Sequence, residues 1–80
     1  MRTEDVLRLY RDGGEHGWEH EFAWLDHHQG EQTDRLAEDV AVNGIREPIL
    51  LGNDGRVWDG HHRLAVAVRL GIDSVPVSHA

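Results

Sequence analysis

Gly60 stands between a short extended run, Val57-Trp58-Asp59, and a helical pattern that opens at His61 and carries Leu64, Ala67 and Val68 on one face. A chain written this way passes from strand to helix through a single glycine, so two elements are tied at a fixed point and one helix end must lie at the end of a strand. That joint has a chemical consequence. The first backbone N–H groups of a helix lack intrahelical partners and sit at the positive end of the helix dipole, where an anion is stabilised. Asp59 is placed to cap the helix, Gly60 to let a ligand approach the backbone, and Arg63 to fork two hydrogen bonds onto a phosphate. His61 and His62 read either as exposed first-turn residues or as ligand and acid–base groups.

Eighty residues make one small domain, 1–80, with room for a single core. Cysteine is absent, which excludes disulfides, thiolate metal sites and thiol catalysis. No apolar run has the length of a membrane span, and the opening Thr3-Glu4-Asp5 is too acidic for a signal peptide, so the expectation is a cytoplasmic protein without a membrane partner.

Capping and periodicity predict about four helices. The first is capped by Thr3, carries Val6, Leu9 and Tyr10, and stops at Gly13-Gly14. The second runs from about Glu15 to His28 with Trp18, Phe22 and Leu25 as its stripe. The third is capped by Thr33 or Asp34, carries Leu36, Ala37, Val40 and Ala41, and ends at Asn43-Gly44. Pro48 forces extension, and Ile49-Leu50-Leu51 with Val57-Trp58 flank Gly52-Asn53-Asp54-Gly55 as a β-hairpin with a four-residue loop. The fourth helix covers His61 to Leu70, and Val75-Pro76-Val77 forms a last short strand in which Pro76 marks a position that needs no N–H. The fold class is α+β, with helices packed on a small mixed sheet built from the hairpin and the C-terminal strand.

Charge narrows the function. Eight arginines face fifteen acidic residues for a net charge of −7, so long-range attraction to nucleic acid is absent and non-specific DNA binding is not expected. A local patch at Arg56, Arg63 and Arg69 still suffices to hold one phosphate group. His16-Gly17-Trp18-Glu19-His20 matches the His-x-x-Glu-His pattern of inverted zinc proteases. It supplies no third ligand, its Gly17 weakens the helix that must aim the histidines, and seven histidines make such a match easy to meet by chance. No metal site is therefore expected, His16, Glu19 and His20 being the group that would form one, with His27-His28 nearby.

From Thr33 to Val77 the chain resembles the ParB/sulfiredoxin-like superfamily. Asp34 to Leu51 is similar to that family's helix, its Gly-Ile/Val turn (Gly44-Ile45) and its Gln/Glu-Pro-Ile strand (Glu47-Pro48-Ile49). Trp58 to Ala67 resembles its second box, and Leu64 to Val77 its closing helix, Leu-Gly turn (Leu70-Gly71) and Val-Pro strand (Val75-Pro76). Residues 1–30 lie outside the resemblance as a helical addition to the 33–77 core.

The resemblance implies a nucleotide, CTP or ATP, with Mg2+, held at the second box. Gly60 matches the family's glycine and Arg63 its second arginine. His61 stands where ParB proteins have glutamate and sulfiredoxins the catalytic cysteine, and His62 stands at the first arginine of ParB proteins. Sulfinic-acid repair is excluded without a thiolate. The chain as given ends before any helix-turn-helix, and the lost carboxylate removes a group that handles metal and nucleotide.

Two functions follow. In the first, Gly60, His61, His62, Arg63 and Arg56 bind a phosphate-bearing ligand, with His61 and His62 as the acid–base pair if a phosphodiester is cleaved in a nuclease-like or nucleotidase reaction, in the nucleic-acid metabolism of a phage or mobile element. In the second, the fold is kept without catalysis as a regulatory module, and Trp18, Phe22 and Trp24 engage a protein partner from the host or a replication complex. Closure of these apolar groups in a homodimer is a third use of the same face.

Overall fold

The computed structural model describes residues 1–14 and 17–80. Its elements run α1 (Thr3–Leu9), α2 (Trp18–Asn43), β1 (Ile49–Leu51), β2 (Val57–Asp59), α3 (His61–Arg69) and β3 (Val77–His79). β1 is the central strand, antiparallel to β2 and parallel to β3. The class is α+β with a small mixed sheet, as the sequence implies.

Three helices are described instead of about four. The second and third expected helices are one, α2, kinked at Gln29 (φ −135°, ψ 29°). Gly30 weakens a helix by only about 1 kcal/mol relative to alanine, too little to end one that is packed from both sides. Thr33 does not cap: it is buried inside α2, and its hydroxyl donates to the Gln29 carbonyl at 3.0 Å, satisfying a group that the kink would strand. Arg69 of α3 spans the bend by pairing with Asp26 before it and Asp34 after it, at 2.8 and 2.7 Å. At its far end α2 stops at Gly44 (φ 74°), where the sequence placed the break.

α1 is shorter than expected and Thr3 lies inside it, its hydroxyl donating to the Ile72 carbonyl at 2.6 Å. Leu9 is exposed, because the helix ends there and Arg11 leaves in an extended bridge to Arg56. Met1 and Val75 exchange two backbone hydrogen bonds, and Val6 joins the core, so α1 packs against the C-terminal segment rather than standing apart.

The core unites Val6, Ile49, Leu51, Val57, Leu64, Ala67 and Val75. On α3 Val66 is buried and Val68 is 43% exposed, the reverse of the expected stripe. α3 is flanked by α1, by the sheet and by α2, so its buried face is wider than a single stripe. The hairpin loop is one residue longer than expected, closed by Gly52 N–H to the Arg56 carbonyl at 2.7 Å, with a bulge between Leu50 and Leu51. The last strand begins at Val77, two residues late: Val75 is committed to Met1, and the Pro76 carbonyl receives the Ile49 N–H at 2.9 Å while its missing N–H leaves no gap in the ladder.

At the hairpin, Gly52 lies under the Trp58 indole, whose Nε1 donates to Asp54 at 3.0 Å. A Cβ at position 52 would overlap that ring. Because Trp58 is half exposed it can swing away, so Gly52→Ala is expected to cost about 1 kcal/mol while shifting tryptophan emission to the red as the Asp54 bond breaks. Fluorescence and urea unfolding of the single variant check both halves; unchanged emission would place the indole elsewhere.

Candidate anion site at the start of α3

The strand, glycine and helix meet as the sequence requires. Gly60 is left-handed (φ 106°, ψ 19°) and forms the N-cap of α3 without any side-chain cap, its carbonyl accepting the first helical N–H from Leu64. The reason for glycine is double. Its φ is unfavourable to any L side chain, and a Cβ would come within 3.1–3.3 Å of Ile49 backbone and side-chain atoms.

His61, His62 and Arg63 occupy successive helical positions, about 100° apart around the axis, and each meets a different part of the protein. His61 donates from Nε2 to the Asp12 carbonyl at 2.7 Å, and its ring packs at 5.7 Å from Trp18. His62 donates from Nε2 to the Gln29 side-chain oxygen at the kink of α2. Arg63 turns to a third side. Its guanidinium reaches Glu47 at 3.2 Å, the Pro48 carbonyl at 3.3 Å and Asp59 at 3.4 Å. Asp59, the expected cap, is thus a partner of Arg63. Arg56 lies at the opposite end of β2 from Gly60, 3.8 Å from Asp54, and does not join the group.

Arg63 has the features of an anion anchor. Its side chain is only 18% exposed, its three hydrogen bonds are at the long end of the range, and its Nε is buried with no partner. It lines a groove of about 320 Å³ between the second half of α2 and the 44–47 loop, floored by Leu36, Val40 and Ile45. Arg46, paired with Asp39 at 2.8 Å, is the second cation of this groove. Sequence reasoning missed Arg46; its position beside Glu47-Pro48, at the entry to β1, was the available signal.

The expected partner surface divides. Trp18 and Phe22 are partly buried and pack against the core, with Trp18 Nε1 donating to the Tyr10 carbonyl at 2.9 Å. Trp24 is 44% exposed and stacks on His28. Of the weighed metal group His16 lies outside the described residues; among the described residues no three metal-ligating side chains cluster. Among them, too, no helix is long and apolar enough to cross a membrane.

A mixed three-stranded sheet whose hairpin feeds through a glycine into a helix, with a largely buried arginine in that helix's first turn, defines a small α+β domain. Over 50 residues, 62% of this chain, it is 38% identical to the ParB-like nuclease domain-containing protein YnaK of Escherichia coli (strain K12), a similarity to a ParB-like protein. The matched stretch spans 58% of that relative's length. No family model matches the chain, and no solved structure matches it.

Proposed function

We propose that this chain is a ParB-like domain that binds a phosphate-bearing ligand, a nucleotide or a nucleic-acid terminus, with Arg63 as the anchor. The observation that carries the reading is the Arg63 guanidinium, largely buried in a groove with its Nε–H unpaired and three further hydrogen bonds that are long. A phosphate can take up the free Nε–H and form shorter bonds than the long ones Arg63 makes to Glu47, Asp59 and the Pro48 carbonyl. The apolar residues Leu36, Val40 and Ile45 of the groove suit the remainder of a nucleotide. Glu47 and Asp59 make the rim acidic, so a divalent cation such as Mg2+ would strengthen the binding of CTP or ATP.

The word nuclease in the relative's name makes a phosphodiester the natural ligand class. Both histidines use Nε2 within the protein, which leaves Nδ1 for any proton transfer. These bonds support binding over cleavage, and cleavage, if it occurs, would depend on His61 and His62.

A thermal-shift panel of CTP, ATP and inorganic pyrophosphate, each with and without Mg2+, tests the reading. The ligand that binds raises the melting temperature of the wild type. Arg46→Ala removes an exposed ion pair, so its apo melting temperature stays within about 2 °C, while ligand affinity falls at least about tenfold as one charged hydrogen-bond partner is lost. Arg63→Ala eliminates the ligand shift, and also lowers the apo value, because Glu47, Asp59 and the Pro48 carbonyl lose their shared donor. No shift with any member of the panel, or an equal shift in Arg46→Ala, would remove the anion site.

A further inference from the structure

A second groove, of about 310 Å³, lies between the 12–14 turn and the first half of α2, bordered by Asp12, Gly14, His20, Glu21 and Trp24. It shares with the start of α3 only the Asp12 backbone carbonyl. Asp12 is 94% buried, since just 6% of it is exposed, and among the described residues its carboxylate accepts from the Gly14 N–H at 3.0 Å while no arginine pairs with it. A carboxylate on a largely buried residue is stabilised by a cation beside it. Arg11, its neighbour in sequence, turns away to the Asp54 carbonyl.

The rest of the groove suits a cation of one shape. Trp24 presents a large, partly exposed indole that is fixed by stacking on His28, with ring centroids 4.5 Å apart and planes 15° from parallel. His28 lies one turn toward the C-terminus and is itself pinned by donating to the Trp24 carbonyl at 3.1 Å. The groove borders Trp24 together with His20 and Glu21, which come from the preceding turn. A planar guanidinium can stack on an indole and fork onto a carboxylate at once, which a lysine ammonium cannot do. The net charge of −7 steers a basic partner to such a surface and repels an acidic one.

We propose that this groove is a docking site for an arginine side chain presented by a basic segment of a protein partner, with Trp24 as the stacking wall and Asp12 and Glu21 as the counter-charges. The rigid indole and the buried carboxylate are set before the partner arrives, so binding orders little of this chain.

The test uses a capped Gly-Gly-Arg-Gly-Gly peptide, titrated into the whole protein while the three indole N–H signals are followed by NMR. The Trp24 signal is expected to move saturably and the Trp58 signal to stay. The same peptide with citrulline, which keeps the shape and loses the charge, is expected to leave Trp24 unmoved. Trp24→Ala weakens binding about fivefold, read from the Glu21 and Gly14 backbone amides. Asp12→Asn keeps an oxygen for the Gly14 N–H and removes the charge, and Glu21→Gln does the same at an accessible position where folding is not at risk; each weakens binding at least about threefold. An equal response to the citrulline peptide, or undiminished binding by Glu21→Gln and Asp12→Asn together, overturns the proposal. None of these substitutions touches Arg63 or Arg46, so the nucleotide panel separates failure here from failure of the anion site.

Discussion

Gly60→Ala lowers the melting temperature by about 15–20 °C, the largest effect expected of a single methyl group in this chain. The backbone term is the cost of holding an L residue at φ 106°, about 1–3 kcal/mol. The packing term comes from the methyl carbon itself, which would sit 3.1–3.3 Å from three atoms of Ile49, one of them backbone Cα. Ile49 is fully buried in the central strand and cannot yield without moving β1, so overpacking adds about 1–3 kcal/mol. The two terms together come to about 2–6 kcal/mol, and a cost in the lower half of that range gives the stated shift at about 4–8 °C per kcal/mol for a domain of this size. Gly55→Ala is the control. Its φ is 81° but nothing lies within 4 Å of the new carbon, so it loses only the backbone term. Circular dichroism melts of the two variants separate the causes, and equal shifts would mean that contact with Ile49 contributes nothing.

Leu64→Ala costs about 3–4 kcal/mol, the range for removing three methylene-sized groups from a site that cannot collapse. Leu64 is fully buried among Ile49, Leu51, Val57 and Val6, and so ties α3 to both α1 and the sheet. A chain of this length carries a total stability of about 4–12 kcal/mol, so the variant sits near the edge of folding. Val68→Ala, one turn later on the same helix, costs under about 1 kcal/mol because Val68 is 43% exposed. Urea unfolding at 25 °C checks both: the midpoint collapses for the first and moves slightly for the second, at an unchanged slope. A large effect at Val68 would turn the helix back to the face that periodicity alone assigns it.

Local signals located the elements well. Gly44 ends α2, Pro48 opens an extended run, Gly52 to Gly55 turn the hairpin, and Gly60 joins β2 to α3, each through a conformational restriction that acts within a few residues. Gly30 misled. Its propensity penalty is real, but a helix held by Arg69 across the bend and by the Thr33 hydroxyl at Gln29 continues through it. Trp18 and Phe22 were legible as an apolar stripe that favours the core over a docking surface, and they do pack against it, although which elements they meet depends on where α1 and α3 lie. The site divides likewise. Glycine, helix start and arginine could be read from the sequence; the hydrogen bonds of His61 and His62 to residues 49 and 33 positions away could not.

Sequence alone determined the α+β class, the strand-to-helix joint at Gly60 and the acidic charge, because dihedral preference, periodicity and composition act along the chain and need no partner. Tertiary structure decided that α2 is one bent helix, that Val66 rather than Val68 faces inward, that Arg63 shares its groove with Arg46, and that Trp24 rather than Trp18 stands open beside a buried carboxylate. Those outcomes depend on which surfaces compete for burial and which donors find acceptors across the fold, and such competition exists only once distant segments are in contact.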